Sequence, residues 1–172
     1  LQSREWHDTV PLFAPLGPKE VDIALQKLGL RCFCVEDTAP LVCKTLGLVW
    51  KAKNSLRRAV VVLPVHMRLS LARVSRVLLD ADIEGSCEAD ESLRLARREE
   101  LVQLFGYEAG GLGPIGLRKL TPEVVVLVDA SLADVEIVQV GGGHVGREIV
   151  LNYSELCTAV GTISADLTMP VG

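Results

Sequence analysis

Aromatic side chains are scarce: Phe, Trp and Tyr make up 4% of the 172 residues, so any core must be aliphatic. No apolar run reaches the roughly 20 residues that a membrane helix needs, which excludes that class of membrane protein. Charges sit where a signal peptide would have its apolar stretch, in LQSREWHDTV. There is no excess of positive charge either. The formal net charge is −4, which argues against broad non-specific binding to nucleic acid while leaving room for a small basic site. The five cysteines, Cys32, Cys34, Cys43, Cys87 and Cys157, include no C-x-x-C pair. That odd set fits neither a disulfide framework nor a zinc site, and points to a reduced, cytoplasmic setting. His7, His66 and His144 are far apart, so no metal motif is visible, and no cofactor is expected. No Ser-His-Asp or Cys-His arrangement stands out. The chain does not begin with Met, and the expectation is a domain cut from a longer protein, or a trimmed one.

What remains is an ordinary globular profile, 49% apolar and 23% charged, of a size that suits one domain over residues 1–172. GPKEVDIALQKLGL reads as a helix, with Pro18 in its first turn and Gly29 as its stop. RCFCVED alternates as a strand. LVCKTLGLVW and AVVVLPV read as two strands of a hairpin around a polar turn, KAKNSLRR. SLARVSRVLLDA reads as an amphipathic helix capped by Ser70, followed by an acidic exposed loop, DADIEGSCEADES. SLRLARREELVQLFG contains a further helix. EVVVLVDA, VEIVQV and REIVLN are strands, and YSELCTAVG is a short helix with Ser154 as its expected N-cap. This order lacks the regular alternation of a doubly wound fold. It predicts an α+β domain, with helices packed on a mixed sheet.

Two glycine-rich segments stand out. Gly141, Gly143 and Gly146 formally match G-x-G-x-x-G. A dinucleotide turn needs a helix next, inside a βαβ unit, but the β-branched residues after Gly146 favour a strand. Asp166, at the spacing of a ribose-binding acid, reads as coincidence. The motif is either a hairpin that turns the chain or a bare backbone that a substrate approaches. The other segment, GYEAGGLGPIGLRK, has five glycines and a proline between a helix and a strand. It is either a connector or a rigid loop presenting backbone groups to a ligand.

Several segments, in order, resemble the YbaK/prolyl-tRNA editing-domain superfamily, the aminoacyl-tRNA deacylases, from about Val21 to Asp166. VCKTL matches the strand with the family's functional lysine, here Lys44. AVVVLPVHMRLSLARVSRVL matches the strand and helix that follow. FGYEAGGLGPIG carries the family's G-x-x-x-P loop as Gly110 to Pro114. VVVLVDASL matches the strand ending at Asp129 and Ala130. VGGGHVGREIVL matches V-x-GG-x-x-G-x-[DE]-I. The chain departs from the bacterial branch at Gly113, usually Ser; at Ser70, often Asp; and at His144 and Val145, commonly basic. It also carries an insertion of about ten residues near Ala81 to Asp90.

The resemblance implies the editing-domain fold, a curved, barrel-like mixed sheet flanked by helices. It implies hydrolysis of the ester joining a wrong amino acid, typically alanine or cysteine, to the 3′ adenosine of tRNA(Pro). The partners would be the acceptor end of that tRNA and a prolyl-tRNA synthetase, with no DNA and no membrane. The ester is already activated, so positioning and electrostatics can supply the catalysis. Lys44 becomes the catalytic candidate, binding the terminal phosphate or ribose or steadying the ester. Gly110, Gly111, Gly113 and Pro114 would offer backbone donors and shape a small pocket. Gly142 and Gly143 would form its opposite wall, and His144 would contact the 3′ end or shuttle a proton. Cys43 reads as buried filler, Thr45 as a simple β-former, and Asp129 as structural or functional. Lys51, Lys53, Arg57, Arg58, Arg118 and Lys119 are possible tRNA contacts. The alternative is a non-catalytic tRNA- or synthetase-binding module of the same fold.

Overall fold

The computed structural model describes residues 40–52, 55–83, 89–117 and 124–169, together with residues 4–5, 23, 26, 33 and 34. Two long strands form its spine: β1, Leu41–Ala52, and β2, Ser55–Pro64. They pair antiparallel from Cys43 opposite Pro64 to Ala52 opposite Ser55. The expected polar turn, Lys51–Arg58, is therefore largely strand. At its start the strand burial continues: Trp50 and Ala52 are buried on either side of the exposed Lys51.

A short strand β3, Arg68–Leu69, leads into helix α1, Leu71–Asp80. The Ser70 side chain accepts from the Arg73 N–H, as the sequence predicts, and Val74, Ser75 and Leu78 face the sheet. Part of the expected acidic loop is helical, at Ala89–Ser92. Arg94–Leu95 is strand β4, and the helix expected around it starts only at Arg98, then widens into a π-turn over Leu101–Phe105. The remaining elements are β5, Val125–Asp129; β6, Ile137–Gly141; β7, Glu148–Asn152; α2, Tyr153–Val160; β8, Ile163–Ala165; and β9, Thr168–Met169. The cap of α2 is Asn152 rather than Ser154. Asn152 Oδ1 accepts from Glu155 N at 2.8 Å while Glu155 Oε2 accepts from Asn152 N at 2.9 Å, a reciprocal box that Ser154 is placed too late to form.

The main sheet runs β8-β5-β2-β1-β6-β7, with β4 on the free side of β1 and a separate β3–β9 ladder. It is mixed: β5 lies parallel to β2 and β8, and β6 parallel to β1, while β1–β2 and β6–β7 are antiparallel. Alternation along β2 splits the core. Val60 and Val62 face one cluster with Phe105, Tyr107, Leu112 and Ile115; Ala59, Val61 and Leu63 face another with Trp50, Val74 and Leu78. Each such fully buried aliphatic side chain contributes about 1.5–3 kcal/mol. No helix among the described residues is long and apolar enough to cross a membrane. The helix expected at residues 17–30 lies largely outside the described residues, though Ile23 and Gln26 are helical. Of the strand expected in RCFCVED, Phe33–Cys34 is described and pairs with Arg4–Glu5.

Candidate functional site

The site begins where two parallel strands part. β6 registers with β1 only at Leu41 and Val42, and β4 registers with it only at Leu48 and Val49. Between them, no described strand is registered against Cys43–Leu46 on that side. Cys43, Thr45, Gly47 and Val49 project toward the cluster containing Tyr107, Leu112 and Ile115; Lys44, Leu46, Leu48 and Trp50 project to the opposite face. The Thr45 hydroxyl is enclosed and has no hydrogen-bond partner among the described residues. A buried hydroxyl left unpaired costs about 1–3 kcal/mol, so the fold retains it against its own stability. Sequence reading passed over Thr45 as a β-former; only its place in the parted edge singles it out.

The glycine-rich loop packs beside this wedge, with Tyr107, Leu112 and Ile115 in the same cluster as Cys43. Tyr107 Oη donates to the Ile115 carbonyl at 2.9 Å, tying the two ends of the loop together, and Gly111 N bonds Glu108 O at 2.9 Å. Its residues 111–115 are buried, which an ordinary connector would not be. The second glycine segment is the hairpin between antiparallel β6 and β7, closed by Gly142 N to Arg147 O at 2.8 Å. A strand, not a helix, follows it, so it is no dinucleotide turn.

The two segments lie directly against each other. A Cβ on Gly113 would stand 2.0 Å from Gly141 O, and one on Gly141 would stand 2.5 Å from Leu112 O. One on Gly111 would meet the His144 backbone at 3.1 Å, and one on Gly142 would meet Arg147 at 2.8 Å. The bare backbone at Gly113, Gly141 and Gly142 thus serves close contact within the chain. Gly143, at φ 89°, supplies the left-handed residue that the hairpin requires. The structure brings Gly110, Gly111, Gly113, Pro114, Gly142, Gly143 and His144 together.

His144 is not a solvated turn residue. Its Nε2 lies 3.0 Å from Glu108 Oε1 and its Nδ1 lies 2.7 Å from Val145 O, and its side chain is 18% exposed. Both nitrogens face oxygens, and both contacts are hydrogen bonds only when the ring carries two protons. The pair strap the hairpin to the glycine loop. Glu148, in register with Gly141, is half-buried, and burial raises its carboxyl pKa. It is the acidic position of the motif, and sequence reading gave it no role.

Lys44 does not join this cluster. Its Nζ donates to Val65 O at 3.1 Å and Met67 O at 2.6 Å, on the other face of β1. Burial pushes the Cys43 thiol up to about 12, consistent with filler and not with a nucleophile. Asp129 is 1% exposed and structural: it accepts from Ser131 N at 3.1 Å, from the Ser131 hydroxyl, and from Leu167 N at 2.9 Å. Arg58 donates to the Leu104 carbonyl and burial lowers its pKa, so it clamps the core rather than offering a free surface charge. Lys53, Arg118 and Lys119 lie outside the described residues. Among the described residues, no group of three metal-ligating side chains is assembled.

A mixed, curved sheet that parts to hold a buried glycine loop is the architecture of an editing domain. The chain belongs to the aminoacyl-tRNA editing domain family, whose model matches residues 38–159. Among solved structures, a hypothetical protein is 27% identical at a TM-score of 0.60, with 98% of this chain and 93% of that one aligned. A candidate trans-editing enzyme for prolyl tRNA synthetase is 22% identical at 0.59, covering 98% of this chain and 87% of that one. A designed scaffold for presenting linear epitopes shares the fold at 0.64 and 20% identity, covering 90% of this chain and 99% of that one. Among curated proteins, none is significantly similar to the chain.

Proposed function

We propose that the protein hydrolyses the ester between a mischarged alanine or cysteine and the 3′ adenosine of tRNA(Pro). The observation that carries this reading is the wedge itself. A buried hydroxyl without a partner, Thr45, faces a rigid glycine loop across an edge of β1 that no described strand covers. In an editing domain, that arrangement suits a small polar ligand whose own group completes the hydrogen bond.

Thr45 would bond the aminoacyl ester or the terminal ribose. Backbone N–H groups of Gly110–Pro114 would stabilise charge developing on the ester oxygen as water attacks. The closed backing of Gly142 and Gly143 would leave room for a small side chain only. Lys44, on the other face, would hold the terminal phosphate rather than the ester. No protein nucleophile is required, in keeping with the raised Cys43 thiol. The likeness to a candidate trans-editing enzyme supports the prolyl context.

The test is hydrolysis of tRNA(Pro) charged separately with alanine, cysteine and proline, by the wild type and by Lys44→Ala. Rapid loss of one mischarged species, with proline spared and the variant at least tenfold slower, is the expected result. Equal loss of all three esters, or a fully active variant, would contradict it.

A further inference from the structure

We propose that the protein carries a further small-molecule site, at the outer edge of β5, which binds a free α-amino acid with an aliphatic side chain. Asp82 would take the ammonium, Arg57 the carboxylate, and the aliphatic wall the side chain. The site is independent of the ester reading above and lies in a part of the fold that reading does not use.

The cavity exists because β8 starts late. Ile163 registers with Leu127, so no described strand is registered against Val125 or Val126 on that side of β5. Their other side is paired with β2, at Ala59 and Val60. The gap is a cavity of about 310 Å³, walled by Val124, Val125, Val126 and Ile163 and carrying Arg57 and Asp82. That volume is at the low end for ligand pockets and suits a small metabolite. The cavity is remote from the wedge. Thr45 opposes Val62 on β2, whereas Arg57 stands five residues earlier on that strand, opposite Trp50, and β5 lies one strand further out.

Charge around the cavity is mixed. Asp82 follows the C-cap of α1, and Gly161, which also borders the cavity, caps the C-terminus of α2. Both helices thus end at the cavity with the negative ends of their dipoles. A carboxylate and two such ends favour an ammonium. Arg57 repels a purely cationic ligand, and its planar guanidinium matches a carboxylate. A zwitterion satisfies both signs at once, and the valine wall selects an aliphatic body between them.

Asp82 is kept at a cost. Among the described residues it is the one non-glycine residue at positive φ, 51°. Its N–H bonds Leu79 O at 3.0 Å while Ile83 N bonds Leu78 O at 3.1 Å, closing α1 in a turn where glycine is the usual residue. A carboxylate at a helix C-terminus is also opposed by the dipole. Asp80 is offset by Arg76, but the Asp82 side chain has no hydrogen bond or ion pair among the described residues. A bound ammonium supplies the missing partner.

The experiment is ¹⁵N-resolved NMR of the whole chain titrated with L-valine, and with two analogues that each lack one charge, L-valinamide and isovalerate. Valine should shift the amides of Asp82, Val125 and Gly161, saturably at millimolar concentration, and leave Gly111 and Gly113 unmoved. Each analogue should bind at least tenfold more weakly. Asp82→Asn keeps a residue that tolerates the left-handed turn, and should lower valine to the isovalerate level. Absence of saturable shifts with valine, shifts centred on Gly111 and Gly113, an analogue that binds as well as valine, or an Asp82→Asn variant that binds as wild type would each overturn the site. None of these readouts uses tRNA, so a failure of ester hydrolysis leaves the site standing, and a failure of valine binding leaves the deacylase reading standing.

Discussion

Lys44 and Thr45 are neighbours that project to opposite faces of β1, and the sequence draws attention only to the first. A lysine in an apolar strand is conspicuous, because an ammonium is costly to desolvate. Its structural resolution is ordinary: two backbone carbonyls receive it. A threonine in a strand is inconspicuous, since β-branched residues belong there. Whether its hydroxyl finds a partner depends on where β6 leaves β1, which no local pattern encodes. Thr45→Val keeps the shape and removes the unpartnered group. It should raise stability by about 1 kcal/mol in urea unfolding, the sign expected when a buried unsatisfied hydroxyl is replaced by a methyl. A destabilised variant would mean that the hydroxyl is paired in solution.

Among the elements, the five longer strands, β1, β2, β5, β6 and β7, and the two principal helices were legible because their patterns are strong, whereas the short strands β3, β4, β8 and β9 were not. The ends were not: Asn152 caps α2 through a reciprocal bond to Glu155, and the β1–β2 ladder runs through letters that read as a turn. Gly47, inside β1, sits where a Cβ would stand 2.8 Å from Leu101 and 3.3 Å from Phe105, so the π-turn is what requires it. At Gly113 a side chain would collide with the Gly141 carbonyl. Gly113→Ser should therefore destabilise by about 1–3 kcal/mol and weaken protection of the Gly142 amide in hydrogen exchange, because backbone must move to admit it. A neutral effect would show that the two loops stand apart. The join of β4 to the following helix rests on Glu100, which accepts from both Arg94 Nη atoms at 2.7 Å and from Arg97 N at 2.7 Å. These bonds, with Arg94 first, pull its carboxyl from 4.5 down to about 2. A depressed carboxylate stabilises fully above its ordinary value and loses that contribution as pH falls from about 4.5 toward 2. Glu100→Gln should then cost about 1 kcal/mol at pH 7, after allowance for solvent screening, and the gap to wild type should close by pH 2–3 in acid unfolding.

For the molecule as a whole, the α+β class followed from element order, and the two glycine segments were each visible as chain. Their meeting was not readable from spacing: some thirty residues and strand β5 separate them, and only the β6–β7 hairpin folds one onto the other. The same three-dimensional closure leaves the Thr45 hydroxyl on one face of β1 and the Lys44 ammonium, bound to the Val65 and Met67 carbonyls, on the other. On our proposal, the ester chemistry belongs to the wedge face. The most direct measurement of that assignment is single-turnover hydrolysis of alanyl- and cysteinyl-tRNA(Pro) by wild type and by Thr45→Val at saturating protein. The account predicts hydrolysis by wild type of one of these esters, and a rate at least tenfold lower for a variant that is more stable and binds tRNA equally well. Hydrolysis at the wild-type rate by Thr45→Val would show that the wedge is not where the ester is broken.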